Sequence, residues 1–299
     1  MTMTCEVMSA RRSLRYRRRM LHTSSSSPPA TAQPVGALLR QWRQRRRLSQ
    51  LDLATEADIS TRHLSCVETG RAEPSRAMLL RLAEQLEVPL RERNVLLTAA
   101  GFAPLYRERP LADPALAGAR QALDLVLRGH EPYPALLVDR HWNLVAHNRA
   151  VPPLLAGIDA DMLAPPCNVL RLSVHARGLG PRIANLAQWR GHLLLRLRQQ
   201  VAASGDAMLQ ALLEELQAMP LPPGTPTDEP ALPDGGVIVP LQVRTPGGTL
   251  NLISTTTVFG TPVDITLAEL ALETFFPADE ATAAALRQSF ESALVQLPV

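Results

Sequence analysis

Residues 49–70 constrain the fold of this chain more than any other stretch, because they read as two short helices that meet at a tight turn. Ser49 offers a side-chain oxygen as the N-cap of the first helix, and Ser60 does the same for the second. The turn falls at 57–59, where Asp58 is one of the few non-glycine residue types that tolerate a left-handed backbone. The stretch therefore predicts a helix-turn-helix unit.

The second of these helices has two chemically different faces. Leu64 and Val67 are three positions apart, so they share one face and are expected to point inward. The opposite face is small, polar and partly basic, as a helix that enters a DNA major groove requires. Candidate DNA contacts from this unit and its surroundings are Arg43, Gln50, Ser60, Thr61, Arg62, Ser65, Cys66 and Thr69. We expect Arg62 to be the best candidate for a guanine, because its guanidinium matches O6 and N7.

The segment from about 35 to 101 resembles the phage-repressor and Cro-like family of helix-turn-helix proteins, the XRE family, which has five short helices. The residues that carry the resemblance are Ser49, Gln50, Ala54, Ile59, Leu64, Val67, Glu68 and Gly70. The resemblance implies that Arg43 pairs with Glu68 and ties the first helix to the end of the second motif helix, the predicted reading helix. A guanidinium fixed in this way can also address a phosphate. An ordinary helical hairpin is the alternative, and several matching spacings disfavour it. Arg47 departs from the family, where many relatives end the first helix with Gly.

Charge divides the chain into a basic front and an acidic rear. Residues 1–33 carry six Arg and one Glu, residues 34–100 carry eleven Arg and eight acids, and residues 101–299 carry fourteen Arg and nineteen acids. Polyanion binding is therefore expected at the front. We predict a disordered basic tail at 1–33, a DNA-binding domain at 34–101, a linker at 102–113 and a second domain at 114–299. The tail either adds non-specific phosphate contacts or reflects a start upstream of a true start at Met20.

The rest of the chain reads as a series of helices followed by a mixed domain. In the front domain we predict helices at 35–47, at 75–87 and at 90–100. In the second domain we predict helices at 115–129, 181–203, 206–219 and 278–294 and strands at 135–138, 142–146, 236–245, 249–259 and 265–275. A proline-rich loop is expected at 220–233.

Residues 102 to about 290 resemble the MmyB-like ligand-binding domain that follows XRE-type DNA-binding domains. The resemblance is carried by EPYPALLVDRHWNLVAHN at 131–148, RIANLAQW at 182–189, STTTVFGTP at 254–262 and FFPAD at 275–279. It implies a PAS-like sheet flanked by helices, with an apolar cavity suited to a fatty acid or acyl compound. The expected fold class is an all-α, five-helix, lambda-repressor-like DNA-binding domain followed by an α+β PAS-like domain.

Apolar and polar residues of the second domain are candidates for this cavity. They are Leu136, Val138, Trp142, Leu144, Arg182, Ile183, Asn185, Leu186, Trp189, Leu193 and Val258, with Arg190 as a further cation. Arg182, Asn185 and Arg190 are the candidate partners for a ligand carboxylate. For each apolar member, ordinary core packing is the alternative, because apolar stripes usually pack.

Several classes of function lack support in the sequence. Cys5, Cys66 and Cys167 are odd in number and far apart, which indicates neither a disulfide framework nor a zinc site and favours a reducing cytoplasm. The seven His have no metal-ligand spacing, and no nucleophile arrangement or phosphate loop is recognisable. No run of apolar residues is long enough to span a membrane.

We therefore predict a DNA-binding transcription regulator that is not an enzyme and needs no cofactor. It is expected to bind a palindromic DNA operator as a homodimer and to sense a hydrophobic small molecule. The alternative is a DNA-binding protein whose rear domain serves only dimerisation or partner binding.

Overall fold

The computed structural model describes residues 33–222, 225, 239–259 and 264–295. Residues 1–32 of the predicted tail and most of the predicted loop at 220–233 lie outside these ranges, as does the start of the strand predicted at 236–245. No helix within the described ranges is long and apolar enough to cross a membrane.

The front half consists of five helices around one apolar core. They are α1 (Val35–Arg45), α2 (Gln50–Glu56), α3 (Thr61–Glu68), α4 (Arg76–Gln85) and α5 (Leu90–Ala99). The predicted Ser49 cap is part of a capping box, in which Ser49 Oγ accepts from the Asp52 amide and the Asp52 carboxylate accepts from the Ser49 amide. Ser60 Oγ caps α3 by accepting from the His63 amide. Leu39, Leu53, Leu64, Leu82 and Leu97 are fully buried where these helices meet.

The turns between these helices use left-handed residues. Asp58 has φ 50° and Gly70 has φ 73°, as the sequence predicted. The prediction that α1 extends to Arg47 is wrong, since α1 ends at Arg45 and Arg47 itself adopts φ 56°. A left-handed conformation costs a non-glycine residue about 1–2 kcal/mol. The compensation is a Schellman-type ending, in which the amides of Arg47 and Leu48 donate to the carbonyls of Gln44 and Arg43.

The rear half is built on a five-stranded antiparallel sheet of strand order β2-β1-β5-β4-β3. The elements follow the chain as α6 (Ala117–Gly129), β1 (Ala135–Val138), β2 (Leu144–His147), α7 (Ala160–Leu163), α8 (Val169–Val174), α9 (Leu186–Ser204), α10 (Ala207–Ala218), β3 (Leu241–Thr245), β4 (Gly248–Val258), α11 (Ile265–Ala268), β5 (Ala271–Pro277) and α12 (Glu280–Val295). Both faces of the sheet carry helices. The all-α front followed by an α+β PAS-like rear confirms the predicted fold class.

Three predicted elements of the rear half are wrong in their bounds. The strand predicted at 265–275 begins with the helix α11, because the Asp264 carboxylate accepts from the Thr266 amide and starts a helical turn; β5 begins only at Ala271. Trp142 lies in the turn before β2, with φ 67°, and is not part of a strand. The helix predicted from 181 starts at Leu186, after a 3₁₀ turn at Gly180–Arg182.

The two faces of the sheet bury separate apolar clusters. On one face α9 and α10 pack on the sheet through a large cluster that includes Trp189, Leu193, Leu213 and Leu252. On the other face α6 packs on β1 and β5 through Leu123, Leu127, Leu137 and Leu272. Helix α9 is thus part of the core of the rear half along most of its length.

Candidate DNA-reading surface and ligand cavities

Helix α3 turns its polar face away from the core of the front half. Leu64 and Val67 are buried, whereas Thr61, Ser65 and Cys66 are half-buried and Arg62 is exposed. Within the described residues, the side chains of Thr61, Arg62, Ser65 and Cys66 make no hydrogen bond, so their polar atoms are available to a partner. Two other predicted contacts are engaged locally: Ser60 caps the helix, and Thr69 Oγ1 donates to the Ser65 carbonyl at 2.7 Å.

An ion pair ties α3 to α1. Arg43 Nε and Nη2 donate to the two carboxylate oxygens of Glu68 at 2.6 and 2.9 Å, and Arg43 Nη1 donates to the Leu48 carbonyl at 2.9 Å. Gln50 Nε2 donates to Glu68 at 2.8 Å. Only 1 % of the Glu68 side chain and 11 % of the Arg43 side chain are exposed. The pair therefore joins α1 and the start of α2 to the end of α3.

The titration of this pair follows from its contacts. Burial opposes ionisation of Glu68, but the hydrogen bonds from Arg43 and Gln50 and the charge of Arg43 outweigh it, so the pKa of Glu68 lies below its usual value. The hydrogen bond to Glu68 likewise raises the pKa of Arg43. Both groups are therefore charged at neutral pH.

Gly36 is a positioning residue of this surface that the sequence analysis missed. A Cβ at this position would overlap the Val67 carbonyl oxygen and come within 2.9 Å of the Glu68 carbonyl oxygen. Glycine lets α1 approach the last turn of α3 this closely. The sequence around Gly36 gives no local signal of this role, because the close approach depends on a helix thirty residues away.

One cavity in the rear half, the α12 cavity, has a volume of about 610 Å³. Its wall includes Leu154, Leu250, Leu286 and Phe290, and Arg182 is the predicted ligand residue that lines it. Arg182 Nη1 donates to the carbonyls of Leu154 and Ala156 at 2.8 and 3.2 Å. The described residues offer no acceptor to its Nε and Nη2 atoms.

A second cavity, the junction cleft, lies where the two halves meet and has a volume of about 300 Å³. Three predicted ligand residues line it, namely Val138, Trp142 and Val258. Arg91 of α5 and Pro89, just before that helix, also line it. Val258 is 65 % exposed. The Trp142 indole donates to Gln200 at 2.8 Å, and the Arg196 guanidinium lies 4.6 Å from the ring centre.

The structure does not bring the remaining predicted ligand residues to either cavity. Ile183, Leu186, Trp189 and Leu193 are buried in the cluster under α9, Leu136 packs against the same cluster, and Leu144 is half-buried in the edge strand. Asn185 donates to the Pro240 carbonyl and accepts from the Gln242 amide, and Arg190 donates to the carbonyls of Leu216 and Gln217. These two polar side chains hold neighbouring backbone in place.

The two halves are joined by arginines of the front half. Arg91 donates to both carboxylate oxygens of Glu269 at 2.8 and 3.0 Å and also bonds Glu108. Arg45 Nη1 and Arg46 Nη1 donate to the carbonyls of Ser204 and Ala203 at the end of α9, at 3.2 and 3.4 Å. Cationic side chains at a helix C-terminus are favourable, because they satisfy its free carbonyls and its dipole.

Comparison with known proteins agrees with this division of the chain. A family model described as a helix-turn-helix domain matches residues 34–96, and one described as "MmyB-like transcription regulator ligand binding domain" matches residues 119–288, more than half of the chain. Neither describes an enzyme. Within the described residues, no group of His, Cys, Asp and Glu is arranged to hold a metal ion.

A curated relative and a solved structure were also found. Multiprotein-bridging factor 1 of Debaryomyces hansenii is 38 % identical over 61 residues, which is 20 % of this chain and 41 % of that protein. The chain thus spans about two fifths of the length of that relative. The structure of an RNA-binding Light-Oxygen-Voltage receptor aligns at 12 % identity over 88 % of this chain and 64 % of that one, with a TM-score of 0.23, too low to support an argument. Because the ligand-domain model spans more than half of its length, the chain belongs to the MmyB-like transcription regulators, with a helix-turn-helix DNA-binding region in front of an MmyB-like ligand-binding domain.

Proposed function

We propose that this regulator binds a palindromic operator as a homodimer and changes its DNA affinity when a fatty acid or related acyl compound occupies the rear half. The observation that carries the proposal is the α12 cavity, a mostly apolar space with an arginine in its wall, in the same compact unit as the solvent-facing α3. Its volume of about 610 Å³ falls within the roughly 300–1,000 Å³ typical of small-molecule sites.

On the DNA side, α3 enters the major groove with Thr61, Arg62 and Cys66 nearest the base edges. Gln50 lies beside α3 and contacts a phosphate or a flanking base through the part of its amide that Glu68 leaves free. One such unit reads only a few base pairs. Two copies on half-sites about 34–36 Å apart supply the specificity that a single unit lacks.

On the ligand side, the apolar chain lies against Leu154, Leu250, Leu286 and Phe290 of the α12 cavity. The carboxylate accepts hydrogen bonds from Nε and Nη2 of Arg182, the two donors with no acceptor among the described residues. A guanidinium whose Nη1 is already fixed by two carbonyls is preorganised for such a contact. A neutral apolar ligand would leave these donors unused, which favours an acid.

Strand β4 connects this cavity to the DNA-binding half. Leu250 lines the α12 cavity near one end of β4, and Val258 lines the junction cleft at the other end. Eight residues of strand separate them by roughly 26 Å. A ligand shifts DNA affinity only if it binds two arrangements of the protein with unequal affinity. In this proposal the two arrangements differ by a small displacement of β4 that reaches α5.

The test uses the full chain, operator DNA selected from random sequence, and palmitate as the probe. Delipidated protein and palmitate-loaded protein should differ in operator affinity. Arg182→Gln should weaken palmitate binding about tenfold or more, because a charged hydrogen-bond partner is lost. The exposed Arg198→Gln is the matched control and should bind palmitate like the parent. Identical operator titrations would leave the alternative, a rear half that only dimerises or binds a partner.

A further inference from the structure

Helix α6 is apolar on more of its surface than its own sheet covers. Leu123 and Leu127 are buried against the sheet, but Leu125 is 73 % exposed and Val126 is 47 % exposed. Leu125 shares this face with three small exposed residues. The four positions, Gly118, Ala122, Leu125 and Gly129, are four, three and four residues apart. A Cβ added at Gly118 or Gly129 would meet no atom of the described chain within 4 Å. Such a spacing places all four on one helical face.

The sheet beside α6 is also incompletely covered. Leu272 of β5 and Ala135 of β1 belong to the cluster under α6. Thr257 of β4 lies directly opposite Leu272. Thr255 of β4 lies opposite Thr274 of β5, which in turn lies opposite Ala135. Directly opposed residues of antiparallel strands point to the same side. Thr255 and Thr257 are exposed, so the side of the sheet that α6 packs on continues, uncovered by the described residues, across the second half of β4.

The charges along α6 determine what fits this face. Asp124 and Arg128 are exposed and form no salt bridge or hydrogen bond within the described residues. The pKa of Glu131 is lowered mainly by its hydrogen bond from Arg149, and the charge of Arg128 adds to this effect. The two lie on the same flank of the helix and are symmetric about Val126. In an antiparallel pair of helices with the two-fold axis at the level of Val126, each Asp124 therefore faces Arg128 of the other copy.

The same symmetry brings large and small residues together. In this arrangement, Leu125 of one copy lies opposite the helical turn between Val126 and Gly129 of the other copy. Because Gly129 has no side chain, that turn leaves room for the Leu125 side chain. Gly and Ala at the contact allow two helix axes to approach to about 8 Å, the close end of the usual range. One helix thus supplies both a protruding residue and a recess, and both signs of charge, which is the pattern of an isologous interface.

From these observations we infer that the exposed face of α6 is the surface through which two copies of this chain associate, with α6 antiparallel to α6 and the uncovered β4 residues beside them. The inference rests on the proposed homodimeric regulator and names its contact. Helix α6 follows the linker from the DNA-binding half directly. The interface therefore lies close in sequence to the DNA-binding halves, whose spacing on the two half-sites it must set.

The decisive experiment is a charge swap in the full chain, measured by sedimentation equilibrium. Asp124→Arg places Arg opposite Arg at two symmetric positions, and Arg128→Asp places Asp opposite Asp. Each should weaken the dimer about tenfold, since both pairs turn from attraction to repulsion. The double variant restores opposite charges across the interface and should dimerise like the parent. A double variant no tighter than the two single variants overturns the inference.

A second variant tests the apolar part of the surface. Leu125→Glu should give a monomer, whereas Leu195→Glu on α9, at a leucine that is 55 % exposed, is the matched control and should remain dimeric. Circular dichroism of both variants separates dissociation from unfolding. A Leu125→Glu protein that is folded and still dimeric, or a monomeric parent, also overturns the inference. The proposed ligand response is judged separately, by operator titration with and without palmitate, so the two can fail independently.

Discussion

Removing the carboxylate of Glu68 is the sharpest test of how the reading helix is held. Glu68→Ala leaves the Arg43 guanidinium buried, with the Leu48 carbonyl as its remaining acceptor. Breaking a buried ion pair by removing one partner costs about 3–5 kcal/mol. We expect the lower figure, about 3 kcal/mol, because Arg43 keeps that one hydrogen bond and is 11 % exposed.

Amide hydrogen exchange of α1 and α3, followed by mass spectrometry, measures this effect locally. A loss of 3 kcal/mol corresponds to roughly 150-fold faster exchange through local opening. The control is Glu56→Ala at the exposed end of α2, which should exchange like the parent. If the two alanine variants exchange alike, the ion pair does not hold α3, and the reasoning is refuted.

The pair also predicts the sign of a pH dependence. The folded state lowers the pKa of Glu68, so the ionised form stabilises the fold. This contribution is complete above the unfolded-state pKa of about 4.3 and is lost as the pH falls through the lower folded-state value. The stability difference between the parent and Glu68→Gln should therefore be constant near pH 7 and shrink in acid. A difference that grows as the pH falls would contradict this assignment.

Three further changes have defined outcomes. Arg62→Ala should cost about 1–3 kcal/mol of operator binding and relax specificity at one base pair, measured by titration against single-base operator variants; uniform weakening would instead indicate a phosphate contact. Gly36→Ala should lower the free energy of unfolding by about 1–3 kcal/mol in urea, through overlap with α3, whereas Gly191→Ala, in open space on α9, should be neutral or stabilising by up to about 1 kcal/mol. Arg91→Ala should speed amide exchange in α5 and α11 while leaving α3 unchanged, because it removes the contacts to Glu269 and Glu108; protection of α5 at the parent level would mean that other contacts hold the junction.

Local chemistry explains what the sequence predicted well. The caps at Ser49 and Ser60 and the left-handed turn at Asp58 depend on residues within a few positions, and each is present in the fold. The strand predicted from 265 failed at Asp264, whose carboxylate caps α11 and starts a helical turn. Asp264 is also 1 % exposed and pairs with Arg109 at 3.2 Å, a partner 155 positions away in the chain. No residue near 264 announces the partner.

The candidate cavity residues show a different limit. Periodicity identifies positions that face inward, and Trp189 and Leu193 do face inward. It does not tell a filled interior from an empty one, because that depends on which elements meet around the position. The α12 cavity forms where α12 meets the turn near Leu154, more than 120 positions earlier in the chain. Arg182 was predicted as a ligand partner by its chemistry, and part of the apolar wall around it, Leu286 and Phe290, comes from α12, a helix that had been assigned no role.

The contact between α1 and the end of α9 limits how freely the two halves can be exchanged between regulators. Gly205 has φ 64°, and a Cβ there would overlap the guanidinium of Arg45, whose Nη1 binds the adjacent Ser204 carbonyl. A chimaera that joined this DNA-binding half to another ligand-binding half would keep these contacts best with free carbonyls at the matching helix end and, after it, a residue that tolerates positive φ and leaves room for Arg45, as glycine does. Without both, the DNA-binding half would lose the Arg45 contact to the ligand-binding half, even with residues 102–113 and α3 intact. Recombination between family members should therefore preserve Arg45 and Gly205 as a pair.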